Sequence, residues 1–301
     1  MINKFLRFWA IFLPLAALVP EPESTWARPI NVGSVNTQPA SEIKKFLPLA
    51  NYLGNRLQSE GIDQGKVVVA KSIPEIATFL RDGKVDLYID TLFPALAASR
   101  LSGSKLLLRR WKKGFGEYHT VIFTRTDSNI NRIEDLKGKL IAFEEPYSTS
   151  GYFLPKAVLL QQGFKLATKT DSTKSVGHDE VGYVFSGADD TTMLWVLRGK
   201  AHAGATDNRS YLREARENLS NLKVLYETFS IPRQVVSYRG NLPVELVAKI
   251  KEILMDMQQS EEGKKTLQDF EKTTKFDEIP DQTMTPFLKL QNFIDAELGA
   301  K

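Results

Sequence analysis

Leu140-Ile141-Ala142-Phe143, then Glu144-Glu145-Pro146-Tyr147, then Ser148-Thr149-Ser150-Gly151 and the run Tyr152–Leu160 form the stretch on which the fold turns. Leu140–Phe143 reads as a short buried strand, and the apolar run from Tyr152 has the length of a helix. A strand passing directly into a helix is the repeating unit of α/β proteins. The hydroxyl-rich junction then lies beyond the carboxyl end of a strand, where open α/β sheets bind ligands. A helix start has backbone N–H groups without intrahelical partners and a positive dipole end. Ser148, Thr149 and Ser150 are suited either to capping those groups or to joining them in holding an outside anion. Gly151 has no Cβ and lets a ligand come close to the backbone. Pro155 lies too far inside the pattern to be a first-position proline, so a kinked or stepped first turn is expected.

The same alternation extends in both directions. Upstream, Ile30–Val35, Val67–Ala70 and Asp86–Ile89 read as strands. A helix over Ser41–Leu57 places Ile43, Phe46, Leu47, Ala50, Leu53 and Leu57 on one face. Ser72-Ile73-Pro74-Glu75 has the spacing of a capping box, and Pro94–Leu101 is the next helix. Tyr118–Thr124 is extended, after which the pattern restarts with a one-turn helix and tight turn over residues 133–139. Downstream, Asp190–Arg198 is helical and Ala201–Ala205 a short buried strand. Leu222–Thr228, Ile231-Pro232 and Gln234–Tyr238 are extended, and Pro243–Asp256, a segment near Gly263–Phe270, and Thr285–Leu298 are helical. The pattern predicts a mainly parallel α/β protein. Two strand-rich crossings, near 118–126 and 225–234, predict one lobe inserted in the other, with hinge closure over a ligand. Lobe 1 is assigned to 28–120, lobe 2 to 121–230, and 231–301 to a return to lobe 1 with C-terminal helices.

Lys4 and Arg7 precede an apolar run from Phe8 to Val19, and the segment ends at Thr25-Trp26-Ala27. This is the grammar of a signal peptide over residues 1–27, cleaved after Ala27; an uncleaved anchor is the alternative. The sequence has no cysteine. Disulfides, thiolate metal sites, a thiol nucleophile and a lipid-bearing cysteine are thereby excluded, and a soluble periplasmic protein is expected. The formal charge is +4 with the charges well mixed, so no nucleic-acid groove is expected. Arg109-Arg110-Trp111-Lys112-Lys113 is the one basic knot; it reads as a solvated strand end or turn rather than a phosphate patch.

No hydrolase elbow, phosphate-cradling Walker loop or dinucleotide fingerprint occurs, and His119, His178 and His202 lack metal-ligand spacing. An enzyme is not expected, and no cofactor or metal is implied. Thr37, Gln38 and Thr91 lie at strand carboxyl ends and are suited to ligand contact or to ordinary turns. Tyr88 and Tyr118 line a cleft or belong to the core. Glu144 and Glu145 meet an ammonium on a ligand or are solvated strand-end charges.

The order and wording of several segments resemble the periplasmic solute-binding proteins of the phosphate/phosphite/phosphonate ABC-transporter family. The resemblance begins at Phe46-Leu47-Pro48-Leu49-Ala50-Asn51-Tyr52-Leu53-Gly54 and continues through Gly83-Lys84-Val85-Asp86-Leu87 and Phe93-Pro94-Ala95. It is strongest over Asp127-Ser128, Asp135-Leu136-Lys137-Gly138-Lys139, Ala142-Phe143 and Pro146–Gly151, and covers about residues 30 to 260. It implies a two-lobed periplasmic-binding-protein-like fold (type II) with a hinge between lobes. It also implies that Ser148, Thr149 and Ser150 give hydroxyls and N–H groups to an oxyanion. The family's Gly-Ser-His-Asp is matched here by Gly187-Ala188-Asp189-Asp190, and its Val-Asp-Ala-Gly-Ala by Ala201-His202-Ala203-Gly204-Ala205. The two departures look reciprocal. Asp189 and His202 are therefore expected to form a ligand-reading pair, the alternative being that the site is lost at both positions. The implied role is capture of phosphate, phosphite or a phosphonate by a monomer that delivers it to an ABC permease in the inner membrane. A receptor for a membrane signalling protein, and a binder of another small anion such as a sulfonate, are the alternatives.

Overall fold

The computed structural model describes residues 28–299 apart from 215, 217 and 218. The expected signal peptide, 1–27, lies outside the described residues. The first lobe is built by β1 (Arg28–Val35), α1 (Pro39–Arg56), β2 (Ile62–Ala70), α2 (Ile73–Arg81), β3 (Leu87–Asp90), α3 (Leu92–Ser102) and β4 (Lys105–Lys112). The chain crosses at β5 (Glu117–Tyr118) into β6 (Thr120–Arg125), β7 (Leu140–Phe143), α4 (Leu154–Gln161), β8 (Lys165–Thr168) and β9 (Glu180–Phe185). The second lobe continues with α5 (Asp189–Leu197), β10 (Ala203–Asp207), α6 (Asn208–Glu214) and β11 (Leu222–Glu227). It crosses back at β12 (Ile231–Pro232) into β13 (Gln234–Tyr238), α7 (Val244–Asp256), α8 (Glu261–Asp269), β14 (Thr273–Asp277), α9 (Asp281–Leu288) and α10 (Gln291–Glu297).

Each lobe has one six-stranded sheet, ordered β2-β1-β3-β13-β4-β14 and β8-β9-β7-β10-β6-β11. The strands joined by helices, β2-β1-β3 and β8-β9-β7-β10, run parallel. The strands joined to the crossings pair antiparallel, because the chain returns through them in the opposite sense. The crossings pair with each other, Tyr118 opposite Ile231 and Glu117 opposite Pro232. This two-stranded ribbon is the hinge of the type II architecture.

Local chemistry explains the elements. Ser72 accepts the Glu75 N–H at the start of α2, and the Glu75 carboxylate accepts the N–H of Lys71, one residue before the cap. Helix α1 buries Phe46, Leu49, Ala50, Tyr52 and Leu53 but leaves Ile43 and Leu47 39% exposed. The face is rotated from its expected setting because α1 presses on β2 at Gly65. A Cβ there would stand 1.8 Å from the Ala50 carbonyl oxygen. The first half of the basic knot is not solvated, while Lys113 at the strand end is exposed. Arg109 bonds both Asp277 oxygens, at 2.9 and 2.8 Å, and the fully buried Arg110 reaches Thr273, Gln234, Glu271 and the Phe270 carbonyl. These arginines staple β4 to β14.

The walls of the lobes meet. Phe93 of α3 stacks on Phe153 with centroids 4.2 Å apart, and Phe153 packs on Phe287 of α9. The expected single C-terminal helix is two helices, and they touch both lobes. Arg100 of α3 bonds Gln291 and Asp295, while Tyr152 and Lys156 of the second lobe bond Glu297. Among the described residues, no helix is long and apolar enough to cross a membrane.

Candidate functional site

The carboxyl ends of the parallel strands of both sheets face one another across a cleft of about 280 Å³. Asn36 and Thr37 enter it after β1, Asp90 and Thr91 at the end of β3, Glu144 and Glu145 after β7, Asp189 after β9, and Asp207 at the end of β10. Lys112 ends β4, and Arg233 and Gln234 follow the hinge strand β12. This is the strand end at which open α/β sheets place ligands.

The hydroxyl run Ser148–Gly151 opens a helix, with the stepped first turn that Pro155 suggested. Residues Thr149–Phe153 form a π-helical turn, in which the Phe153 N–H bonds the Ser148 carbonyl at 3.0 Å. Ser148 Oγ accepts the Gly151 N–H at 2.9 Å, so a neutral hydroxyl caps the turn. Ser148 and Ser150 line the cleft. Thr149 does not: its hydroxyl accepts the Phe93 N–H and donates to Thr91 Oγ1, both at 2.9 Å, so it joins the two walls. Gly151 also stands behind the surface. A Cβ there would meet Glu144 Cβ at 2.6 Å, so the glycine makes room for Glu144 rather than for a ligand.

Of the remaining expected residues, Thr37, Thr91, Tyr118 and Asp189 line the cleft. Gln38 is exposed and lies outside it, its backbone N–H bonded to Asn36 Oδ1. Tyr88 is fully buried behind the wall and donates to Asp90 at 2.8 Å. His202 is not in the cleft. Strand β10 runs two residues later than expected, so His202 precedes it, at the opposite end from Asp207. Its Nδ1 accepts the Leu140 N–H at 3.1 Å, beside the start of β7. The expected Asp189–His202 pair is therefore separated by the length of a strand, and the acid at the ligand end of β10 is Asp207.

Five carboxylates, Asp90, Glu144, Glu145, Asp189 and Asp207, line the cleft against three cations, Lys71, Lys112 and Arg233. That excess makes full ionisation costly. Burial, reinforced by Asp189, pushes the Glu144 carboxyl up to about 8. Burial likewise raises Glu145, Asp189 and, to about 6, Asp90. Asp189 accepts from Thr206 Oγ1 and, at 2.9 Å, from Ser210 Oγ. Asp207 caps α6 by accepting the backbone N–H groups of Arg209 and Ser210.

Two donors facing this cleft have no hydrogen-bond partner. Tyr118 is buried to 4% exposure with its hydroxyl unbonded, and Arg233 Nε and Nη1 are buried and unbonded. Arg233 Nη1 stands 3.6 Å from Asp207, an ion-pair distance beyond hydrogen-bond reach. Buried donors are rarely left this way unless something outside the chain completes them. Sequence reasoning missed Arg233, Lys112 and Asp207. The position of Arg233 directly after the Ile231-Pro232 crossing was the available signal.

A two-lobed α/β receptor with a polar interlobe cleft is the class that this fold and site define. The chain belongs to the family of ABC-transporter periplasmic phosphonate substrate-binding proteins, whose sequence model matches residues 32–284. The family is a transport component, not an enzyme. The phosphonates-binding periplasmic protein of Escherichia coli is 25% identical over 276 residues, covering 87% of this chain and 76% of that protein. The phosphate-import protein PhnD of Mycolicibacterium smegmatis is 24% identical over 246 residues, covering 77% and 74%. Among solved structures, XAC2383 from Xanthomonas citri bound to chloride superposes with a TM-score of 0.82 at 23% identity, over 90% of this chain and 99% of that one. PhnD1 from Prochlorococcus marinus in complex with methylphosphonate gives 0.62 at 20% identity, over 90% and 98%.

Proposed function

We propose that this protein captures a small phosphorus oxyanion (phosphate, phosphite or a phosphonate) in the periplasm, after export by a cleaved signal peptide, and delivers it as a monomer to an ABC permease. The observation that carries the reading is the set of unpartnered donors, Arg233 and Tyr118, in the same cleft as Ser148, Ser150 and the start of their helix. A tetrahedral anion accepts from all of these at once. Hydroxyls and helix-start N–H groups hold one side, and a guanidinium gives charge-assisted hydrogen bonds from the other.

Capture works by population shift. Thr37 and Thr91 belong to the first lobe, while Ser148 and Ser150 belong to the second, so a ligand touching both walls favours the closed arrangement. The Thr149–Thr91 bond and the Phe93–Phe153 stack are the contacts that closure makes between the walls.

A calorimetric and thermal-shift screen of phosphate, phosphite and methylphosphonate, with sulfate, taurine and simple carboxylates as controls, tests this. Ligand at a thousandfold excess over its Kd should stabilise the protein by about 4 kcal/mol. A shift with taurine and none with any phosphorus compound would overturn the proposal.

A further inference from the structure

Helix α10 is held by both lobes. On one side Arg100 of α3 donates to Gln291 Oε1 at 3.1 Å and to Asp295 Oδ2 at 3.4 Å. On the other, Tyr152 donates to Glu297 Oε2 at 2.8 Å, Lys156 bonds Glu297 Oε1, and Lys156 Nζ lies 2.7 Å from the Tyr152 hydroxyl. Between these ends Phe287, Leu290 and Ile294 are buried, and α9 lies against the hinge strand β12. The two helices form a strap from lobe to lobe, and none of their residues lines the cleft. The Arg100–Asp295 pair is largely exposed and contributes little. The Lys156 and Glu297 side chains keep only 15% and 19% of their exposure. A carboxylate so withdrawn from water, shared by an ammonium and a phenol, is costly to leave unpaired, which gives this end of the strap one favoured geometry.

We propose that Glu297 is a positioning residue for the cleft: by gripping Tyr152 and Lys156 it holds the π turn that bears Ser150 against the first lobe, and so favours closure before any ligand arrives. Tyr152 sits inside that turn, two residues after Ser150. The same turn carries Thr149 and Phe153, which meet Thr91 and Phe93 of the opposite wall, and Phe153 packs on Phe287 of the strap with centroids 5.5 Å apart. A grip on Tyr152 therefore acts on the wall-to-wall contacts and on the cleft-lining hydroxyl together. A protein whose binding-competent form is only fractionally populated has its Kd raised by the inverse of that fraction. A contact outside the cleft thus sets affinity without touching the ligand. The effect on affinity rests on the functional reading above; the grip itself does not.

The sequence has no cysteine, so one spin label can be placed on each lobe, at Lys44→Cys on α1 and Gln161→Cys at the end of α4, both exposed. Pulsed electron-resonance distances in the ligand-free labelled protein should be shorter and more narrowly spread than after Glu297→Gln or Tyr152→Phe. Exchanging the pair, Lys156→Glu with Glu297→Lys, should restore them. By calorimetry, the methylphosphonate Kd should rise about tenfold in Glu297→Gln, as a closed fraction cut to a tenth requires, and less in Tyr152→Phe. A Glu297→Gln protein that melts cooperatively and keeps the parent's distances would overturn the proposal, even with a lowered melting temperature, because the residue would then serve stability alone. If Glu297→Gln does not fold, Tyr152→Phe, which removes one hydroxyl from the grip, decides on the same distances. If methylphosphonate binds none of these proteins, the functional reading fails, while the ligand-free distances still decide the grip.

Discussion

Two helix starts in the second lobe stand at the carboxyl ends of neighbouring strands, β7 and β10, and they are finished in opposite ways. At α6 the chain's own carboxylate, Asp207, accepts the free backbone N–H groups. At the π turn before α4 the cap is the neutral Ser148 hydroxyl. The start of α6 is thus finished by a charge of the chain's own, whereas the π turn carries a neutral hydroxyl, with Glu144, whose carboxyl is pushed up to about 8, packed against Gly151. On the proposed function, the sign of the cap, rather than the presence of a helix start, marks the side of the cleft that takes the anion.

The largest expected effect comes from removing the cation that faces the neutral start. Arg233→Ala should weaken methylphosphonate binding by about 2–5 kcal/mol, roughly thirtyfold or more in Kd by calorimetry, with little change in melting temperature. Ser148→Asp turns the second kind of start into the first. It should cost about tenfold or more in affinity while the helix keeps its cap and the fold its stability. Glu144 gives a smaller, pH-dependent effect. Its folded value of about 8 lies above its ordinary 4.5, so the native state holds a proton that the unfolded chain has lost between those values. Ligand-free protein should therefore lose stability as pH rises from about 5 to 8, and Glu144→Gln should reduce that slope in melting curves. His202→Ala should leave Kd unchanged, because its ring lies at the far end of β10.

Much of the fold was legible in the chain. Strands β7 and β13 lie where the apolar runs placed them, and the Ser72 cap starts α2, because these signals are local. Strands β8, β9 and β14 were not distinguished, since their short runs gain their identity from the strands beside them. The lining of the cleft was legible where chemistry and position coincide, at Ser148 and Ser150. Thr149 looks the same in sequence, yet a hydroxyl reads identically whether it meets a ligand or the opposite wall. His202 was misplaced by a two-residue shift in one strand, because the apolar run 201–205 does not mark where pairing with β7 begins. Arg233 was missed although it follows the Ile231-Pro232 crossing directly, because the groups it meets come from elements far away in the chain.

A crystal structure of the protein with methylphosphonate is the most direct measurement. The phosphorus is expected within the cleft, its oxygens in hydrogen-bond contact with the Ser150 hydroxyl and the Arg233 guanidinium. A ligand found elsewhere, or a cleft still empty in crystals equilibrated with a saturating concentration, would contradict the account.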